Sequence, residues 1–285
     1  MRLPLRRSRL AALVLGLAGL AGGLVAAPAG AEEPADARLG RYVALGDSYA
    51  SLGSTADNYT DPVTGCVRST DNYPSLLAER LRPTEFTDAT CAGAVTGGVL
   101  ASQVGSLTPD TDLVTLTIGG NDIGFGSIVA ACGTDSLLNP LGSPCESRYT
   151  EGGTDRLAET IDATADEIDA VLAAIEERAP GAEVVVVGYL RILPPALGCW
   201  PFVPISVGDV PYLNGVQRHL NDMLGARAQA AGATFVNPGE VRGHDACALP
   251  WKKWVEGPFP VAGGSPVHPT AAGQAAVARM VAGAL

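Results

Sequence analysis

Histidine, lysine and aromatic residues are scarce in this sequence. Only three of its 285 residues are histidine, and aromatic side chains make up 5%. No Cys-x-x-Cys pair occurs, and His219, His244 and His268 stand at no metal-ligand spacing. That pattern argues against a zinc site, and neither a metal nor another cofactor is expected. The two lysines are the adjacent Lys252 and Lys253. With 19 basic and 30 acidic residues the chain carries a net charge of −11. A surface of that sign repels nucleic acid and anionic membranes, so no nucleic-acid partner is expected. Beyond residue 31 no apolar run approaches the roughly eighteen residues that a membrane span needs, so no stable membrane insertion is expected.

The first 31 residues differ from the rest. Arg2, Arg6, Arg7 and Arg9 precede an uncharged apolar stretch from Leu10, and Ala29-Gly30-Ala31 supplies the small residues of a cleavage site. This predicts a secretory signal peptide cleaved near Ala31 and a secreted, extracellular product. A retained anchor is the alternative, because the stretch is about long enough to span a bilayer. These residues hold four of the 19 basic residues and no acid, which leaves 15 basic against 30 acidic residues, net −15, in the remainder. The length of residues 32–285 suits one large α/β domain or two small ones with a substantial core, and since they show no internal repeat and no linker a single domain is expected. Six cysteines fall in this part: Cys66, Cys91, Cys132, Cys145, Cys199 and Cys247. An even count in an exported chain favours disulfides. Cys132 and Cys145 close a short loop and are the pair that spacing favours; the other pairings stay open at this point.

Five apolar runs rich in β-branched residues read as buried strands: Arg41–Leu45, Glu85–Ala89, Leu113–Ile118, Glu183–Tyr189 and Thr234–Asn237. Helical patterns cover Tyr73–Leu81, Thr96–Val104, Asp155–Arg178, Tyr212–Ala231 and Thr270–Ala284. In the longest, Leu157, Ile161, Ile168, Val171, Leu172 and Ile175 make one apolar face, and Pro180-Gly181 ends it. The alternation predicts a mainly parallel sheet covered on both faces, with binding groups at the carboxyl ends of its strands. Gly53–Asn72, Gly124–Gly153, Leu190–Pro211 and Glu240–Val267 read as long irregular stretches. Each contains a cysteine and is expected to wall a site.

Three short segments carry chemistry. Gly46-Asp47-Ser48-Tyr49-Ala50 follows the first strand and places Ser48 at its carboxyl end, although a serine there also serves as a plain helix cap. Gly119-Gly120-Asn121-Asp122 follows the strand Leu113–Ile118, so Asn121 projects an amide toward the same crevice, unless it only makes a turn. Ser265-Pro266-Val267-His268-Pro269 places His268 just before the last helix, where an imidazole can accept a serine proton and return it to a leaving alcohol. His219, within a helical pattern, reads as a surface or packing residue. His244 has no evident partner.

The order Gly-Asp-Ser, Cys91-Ala92-Gly93-Ala94, Gly-Gly-Asn-Asp and His-Pro resembles the SGNH hydrolase superfamily, or GDSL lipase/esterase family, over nearly the whole chain from Tyr42. It is most similar to the secreted actinobacterial esterases and lipases with six cysteines. The resemblance implies a flavodoxin-like three-layer α/β/α sandwich around a five-stranded sheet, and a secreted carboxylic-ester hydrolase. It implies Ser48 as nucleophile and His268 as base. Ser48 and Gly93 backbone N–H groups and the Asn121 amide become the oxyanion donors. It also implies sequential disulfides, Cys66–Cys91, Cys132–Cys145 and Cys199–Cys247. Many members place Asp three residues before the histidine; here that residue is Ser265, whose hydroxyl supplies no negative charge to an imidazolium. A Ser-His dyad is therefore expected, with the Ser265 or Pro266 carbonyl orienting His268. Asp245, reaching in from the preceding loop, is the alternative.

The expected partner is an ester substrate with an acyl chain, and the expected state is monomeric. Ile192–Val207 and the pair Trp251 and Trp254 are candidates for the walls of an acyl pocket, with plain loop packing as the equal alternative. A phospholipase or a carbohydrate O-deacetylase of the same fold is an alternative, as is a non-catalytic binder of acylated polymers.

Overall fold

The computed structural model describes residues 39–285. The expected signal peptide, residues 1–31, lies outside the described residues. The elements in chain order begin with β1 (Arg41–Gly46) and α1 (Ser48–Ser51). A two-stranded hairpin follows, β2 (Asn58–Thr60) with β3 (Val67–Ser69), and then α2 (Tyr73–Leu81), β4 (Glu85–Asp88), α3 (Thr96–Ala101) and β5 (Thr111–Thr117). Next come α4 (Phe125–Leu138), α5 (Pro144–Thr150), α6 (Arg156–Arg178), β6 (Glu183–Val187), α7 (Asp209–Ala230), β7 (Thr234–Val236) and α8 (Ala271–Ala282).

The main sheet has the order β4-β1-β5-β6-β7, and every neighbouring pair is parallel. Parallel pairing needs helical crossovers, and α2 packs on α8 while α3, α6 and α7 pack together. Right-handed crossovers put these two groups on opposite faces, since the chain runs outward from β1 to β4 and then back past β1 to β5. Coverage on both faces explains why residues 113–117 are all buried, without the in-out alternation of a half-exposed strand. It also explains a polar pair inside the sheet: the Tyr42 and Thr115 hydroxyls, both buried, hydrogen-bond to each other at 2.8 Å. The order reverses between β1 and β5, so the crevice at their carboxyl ends is the topological switch point where such sheets bind ligands.

Several segments that read as irregular contain regular structure. Gly53–Asn72 holds the β2–β3 hairpin, whose strands are three residues each and too short to leave a pattern. Gly124–Gly153 holds α4 and α5. The α4 sequence, FGSIVAACGTDSLL, is apolar around much of its circumference and contains two glycines, so no helical stripe stands out. Helix α7 begins at Asp209 rather than Tyr212. Pro211 falls in its first turn, where the missing N–H has no intrahelical partner to lose. The pattern at Thr96–Val104 divides into α3 and a 3₁₀ turn, Gln103–Ser106.

Disulfides join Cys66 to Cys91, Cys132 to Cys145 and Cys199 to Cys247. Among the described residues no helix is long and apolar enough to cross a membrane, and no group of His, Cys, Asp or Glu is arranged to hold a metal ion.

Candidate active site

Ser48 is the first residue of α1, immediately beyond β1. The turn that carries it is fixed from several sides. Asp47 N–H donates to the Thr117 carbonyl at 2.9 Å, tying the end of β1 to the end of β5. The buried Gln103 amide clamps Gly46, accepting from its N–H at 2.7 Å and donating to its carbonyl at 2.9 Å. Asp47 caps α1 by accepting from Tyr49 N–H at 2.8 Å. Gln274 of α8, also buried, accepts from Tyr73 N–H at 3.0 Å and donates to the Tyr49 carbonyl at 3.0 Å. The C-terminal helix is thereby anchored to the segment that bears Ser48.

Gly93 lies in the turn after Cys91, at φ +83°, a left-handed conformation that a side chain would strain. The Cys66–Cys91 disulfide holds this turn against the hairpin side of the crevice. Neither the Ser48 nor the Gly93 N–H finds a protein acceptor among the described residues. Asn121 follows β5 and donates one amide hydrogen to the Ala94 carbonyl at 2.8 Å, which leaves its second hydrogen for another acceptor. Asp122 accepts from the Thr96 N–H and hydroxyl, so the segments around Gly93 and Asn121 form one hydrogen-bonded unit.

His268 completes the group. Its Nε2 lies 2.8 Å from Ser48 Oγ, and its Nδ1 lies 2.7 Å from the Pro266 carbonyl. A carbonyl only accepts, so Nδ1 carries the hydrogen and Nε2 is the ring acceptor facing the serine hydroxyl. The Ser265 carbonyl instead accepts the His268 backbone N–H at 3.1 Å. Asp245 does not reach the ring: its carboxylate accepts from Cys247 N–H. Burial holds the imidazole pKa below its ordinary value, and the hydrogen bond to Pro266 opposes that only in part.

The loop carrying His268 has its own supports, which no sequence motif announced. Val267 adopts φ +59°, unusual for a β-branched residue. The Tyr49 hydroxyl donates to its carbonyl at 2.8 Å, and its N–H reaches the Gly257 carbonyl at 3.2 Å. Glu256, wholly buried, gathers the N–H groups of Val261, Ala262 and Gly264, while its own N–H donates to the His268 carbonyl at 2.9 Å. No signal in the sequence marked it, since the same stretch also carries Arg242, Asp245, Lys252 and Lys253. Tyr189, just past β6, donates to Asp47 Oδ2 at 2.5 Å and accepts from Gly120 N–H at 2.7 Å. A Cβ on Gly120 would lie 3.0 Å from the Tyr189 ring, so this close approach needs glycine. Burial pushes the Asp47 carboxyl up to about 7, against the hydrogen bonds from Tyr189 and Tyr49 that favour its ionised form.

Ser48 and Asn121 open onto a cavity of about 370 Å³ whose other walls are mostly apolar. Ile128 and Leu137 of α4, Leu193 and Ile205 of the 190–208 segment, and Leu213 and Val216 of α7 line it. The segment Ile192–Val207 thus contributes to the wall. Trp251 and Trp254 do not: Trp251 is exposed, and Trp254 stacks on His244 with ring centroids 4.0 Å apart. His244 also bonds the Lys252 carbonyl, and His219 pairs with Asp162 on the surface.

Comparison with known proteins identifies the family. The pattern of the GDSL-like Lipase/Acylhydrolase family matches residues 44–276. "Lipase 2" of Streptomyces coelicolor is 39% identical, over 97% of this chain and 96% of that protein. The crystal structure of phospholipase A1 from Streptomyces albidoflavus NA297 is similar with a TM-score of 0.74 at 32% identity, covering 87% of this chain and 100% of that one. The extracellular lipase from Streptomyces rimosus gives a TM-score of 0.71 at 34% identity, over 86% and 100% of the two chains. The chain belongs to the GDSL-like lipase/acylhydrolase family and is a carboxylic-ester hydrolase.

Proposed function

We propose that this hydrolase cleaves fatty acyl esters through a Ser48–His268 dyad and a covalent acyl-enzyme. The observation that carries the reading is the 2.8 Å contact between Ser48 Oγ and His268 Nε2, with the Pro266 carbonyl on the far side of the ring. As Ser48 Oγ attacks the ester carbonyl, its proton passes to Nε2. The Pro266 carbonyl keeps the ring in the required tautomer and accepts the Nδ1 hydrogen of the imidazolium, in place of an aspartate. Negative charge on the tetrahedral oxygen is met by the Ser48 and Gly93 N–H groups and the free hydrogen of the Asn121 amide. His268 then returns the proton to the leaving alcohol, and a water activated by the same nitrogen releases the acid and frees Ser48.

The apolar cavity beside Ser48 supports a fatty acyl chain rather than acetate. Each methylene taken from water into such a site contributes about 0.8 kcal/mol. An acylglycerol or phospholipid substrate accords with the named relatives, whereas a carbohydrate O-deacetylase would leave most of the cavity unused. Three disulfides and the basic-apolar N-terminus support export, with cleavage near Ala31, and the proposed state is a monomer in the extracellular medium. A series of p-nitrophenyl esters of increasing chain length tests the reading. Turnover should rise from acetate to medium or long chains and vanish in Ser48→Ala; a preference for acetate, or retained activity in that variant, contradicts it.

A further inference from the structure

Three segments frame the cavity, and apart from Asn139 their outward side chains are apolar. Residues 136–142 run from the end of α4, residues 202–208 lead into α7, and residues 257–261 precede the His268 loop. They are joined to one another. Ser206 N–H donates to Ser136 Oγ at 2.8 Å, Ser206 Oγ to the Asn139 carbonyl at 2.6 Å, and Val207 N–H to the Pro140 carbonyl at 3.0 Å. On the other side, the Val203 side chain and Phe202 carbonyl lie against Gly257. Leu137, Val203 and Pro258 line the cavity itself. Next to them Leu138, Leu141, Phe202, Phe259 and Val261 are each 60–86% exposed.

Charge is absent from this rim. The chain is 17% charged, yet residues 136–145, 192–208 and 257–267 contain no Asp, Glu, Lys or Arg. Most of the charged groups that border it are turned inward or paired, Glu146 being exposed. Glu256 and Asp209 are wholly buried, the latter accepting from Cys145 and Glu146 N–H groups, and Asp135 is bound by Arg148. A contiguous exposed apolar surface of this kind marks an interaction site rather than ordinary protein surface. Its lack of positive charge, on a chain with a net charge of −11, gives no attraction for an anionic lipid. Its continuity with the cavity means that a chain leaving a lipid layer there enters the site without crossing water.

We infer that this rim is an interfacial docking surface for an electrically neutral lipid layer, seating Leu138, Phe202 and Phe259 among the headgroups and upper acyl carbons. The inference rests on the fatty acyl ester reading, but its test does not need catalysis. Ser48→Ala protein, unable to consume the lipid, should sediment with phosphatidylcholine vesicles and bind phosphatidylglycerol vesicles more weakly. Adding Leu138→Ser, Phe202→Ser and Phe259→Ser together should weaken phosphatidylcholine binding by at least roughly tenfold, as expected for losing three interfacial apolar side chains. In the Ser48 protein the same triple change should leave kcat/KM on a soluble short-chain p-nitrophenyl ester within about twofold, which also reports that it folds. The single Leu141→Glu change, fully at the surface, should weaken vesicle binding by itself. Absence of binding to phosphatidylcholine, stronger binding to phosphatidylglycerol, or binding untouched by these changes overturns the inference. Loss of vesicle binding with the chain-length preference intact refutes the docking surface alone.

Discussion

The Tyr189 hydroxyl donates to Asp47 Oδ2 at 2.5 Å, joining two residues 142 positions apart. The same oxygen accepts from Gly120 N–H, so one phenol links the turn bearing Ser48 to the turn bearing Asn121. A buried hydroxyl with both roles filled sets the spacing of two groups that the proposed mechanism needs at one carbonyl oxygen. Removing it leaves the Gly120 N–H and an Asp47 oxygen without partners, a cost of about 1–3 kcal/mol for each group. Tyr189→Phe should therefore lower kcat about tenfold or more with KM changed little, and should lower the melting temperature. Steady-state kinetics on one soluble ester checks this; an unchanged kcat contradicts the positioning role.

The protonation of His268 makes a second prediction. Burial depresses its pKa below the ordinary 6.5, and among the described residues no carboxylate stands against the ring to raise it. The imidazole then stays neutral, and able to accept the Ser48 proton, to a lower pH than a free histidine. The acid limb of kcat/KM should have its midpoint below 6.5, and a midpoint above 7 contradicts the account. Asp47 titrates in the same cavity, its carboxyl pushed up to about 7 from 3.8. The folded protein holds that proton more firmly than the unfolded chain, so its contribution to stability is present at acid pH and is lost as pH rises through 7. Asp47→Asn should leave the His268 limb in place while flattening the decline of melting temperature between pH 4 and 7.

Glu256 gives a third. Its carboxylate gathers backbone N–H groups from residues 261, 262 and 264 with no water-facing edge. Glu256→Gln keeps one oxygen for those donors but removes the negative charge that holds them, and turns an NH₂ toward Lys253 Nζ, which lies 3.9 Å from Glu256 Oε2. The loop that delivers His268 should loosen, with kcat falling by about tenfold and the 261–264 amides exchanging faster with deuterium. Unchanged exchange contradicts this support.

Much of the sheet was legible because β1, β5 and β6 are apolar runs buried on both faces. The three site segments followed, since each stands where one of those runs or a terminal helix meets the crevice. Ser48, Asn121 and His268 are close in the structure, as the motifs suggest, and Gly93 joins them through the Ala94 carbonyl. What escaped has physical causes. Helix α4 is apolar around much of its surface because it lies between the cavity and the rim, so it carries no helical stripe. Tyr189, Gln103 and Glu256 work through partners brought near only by the fold: Tyr189 caps an apolar run, Gln103 clamps a residue 57 positions away, and Glu256 hides in a loop. Trp251 and Trp254 were misleading, because an aromatic pair near a cysteine resembles a pocket wall but here faces solvent and His244.

The central claim is that Ser48 carries the acyl group. Incubating the protein with a p-nitrophenyl ester, quenching with acid in the steady state, and mapping the adduct by peptide mass spectrometry tests it directly. One acyl group is expected on the peptide containing Ser48, stronger in amount when Asn121 is intact, and none in Ser48→Ala. Acylation at another residue, or full esterase turnover by Ser48→Ala, would contradict it.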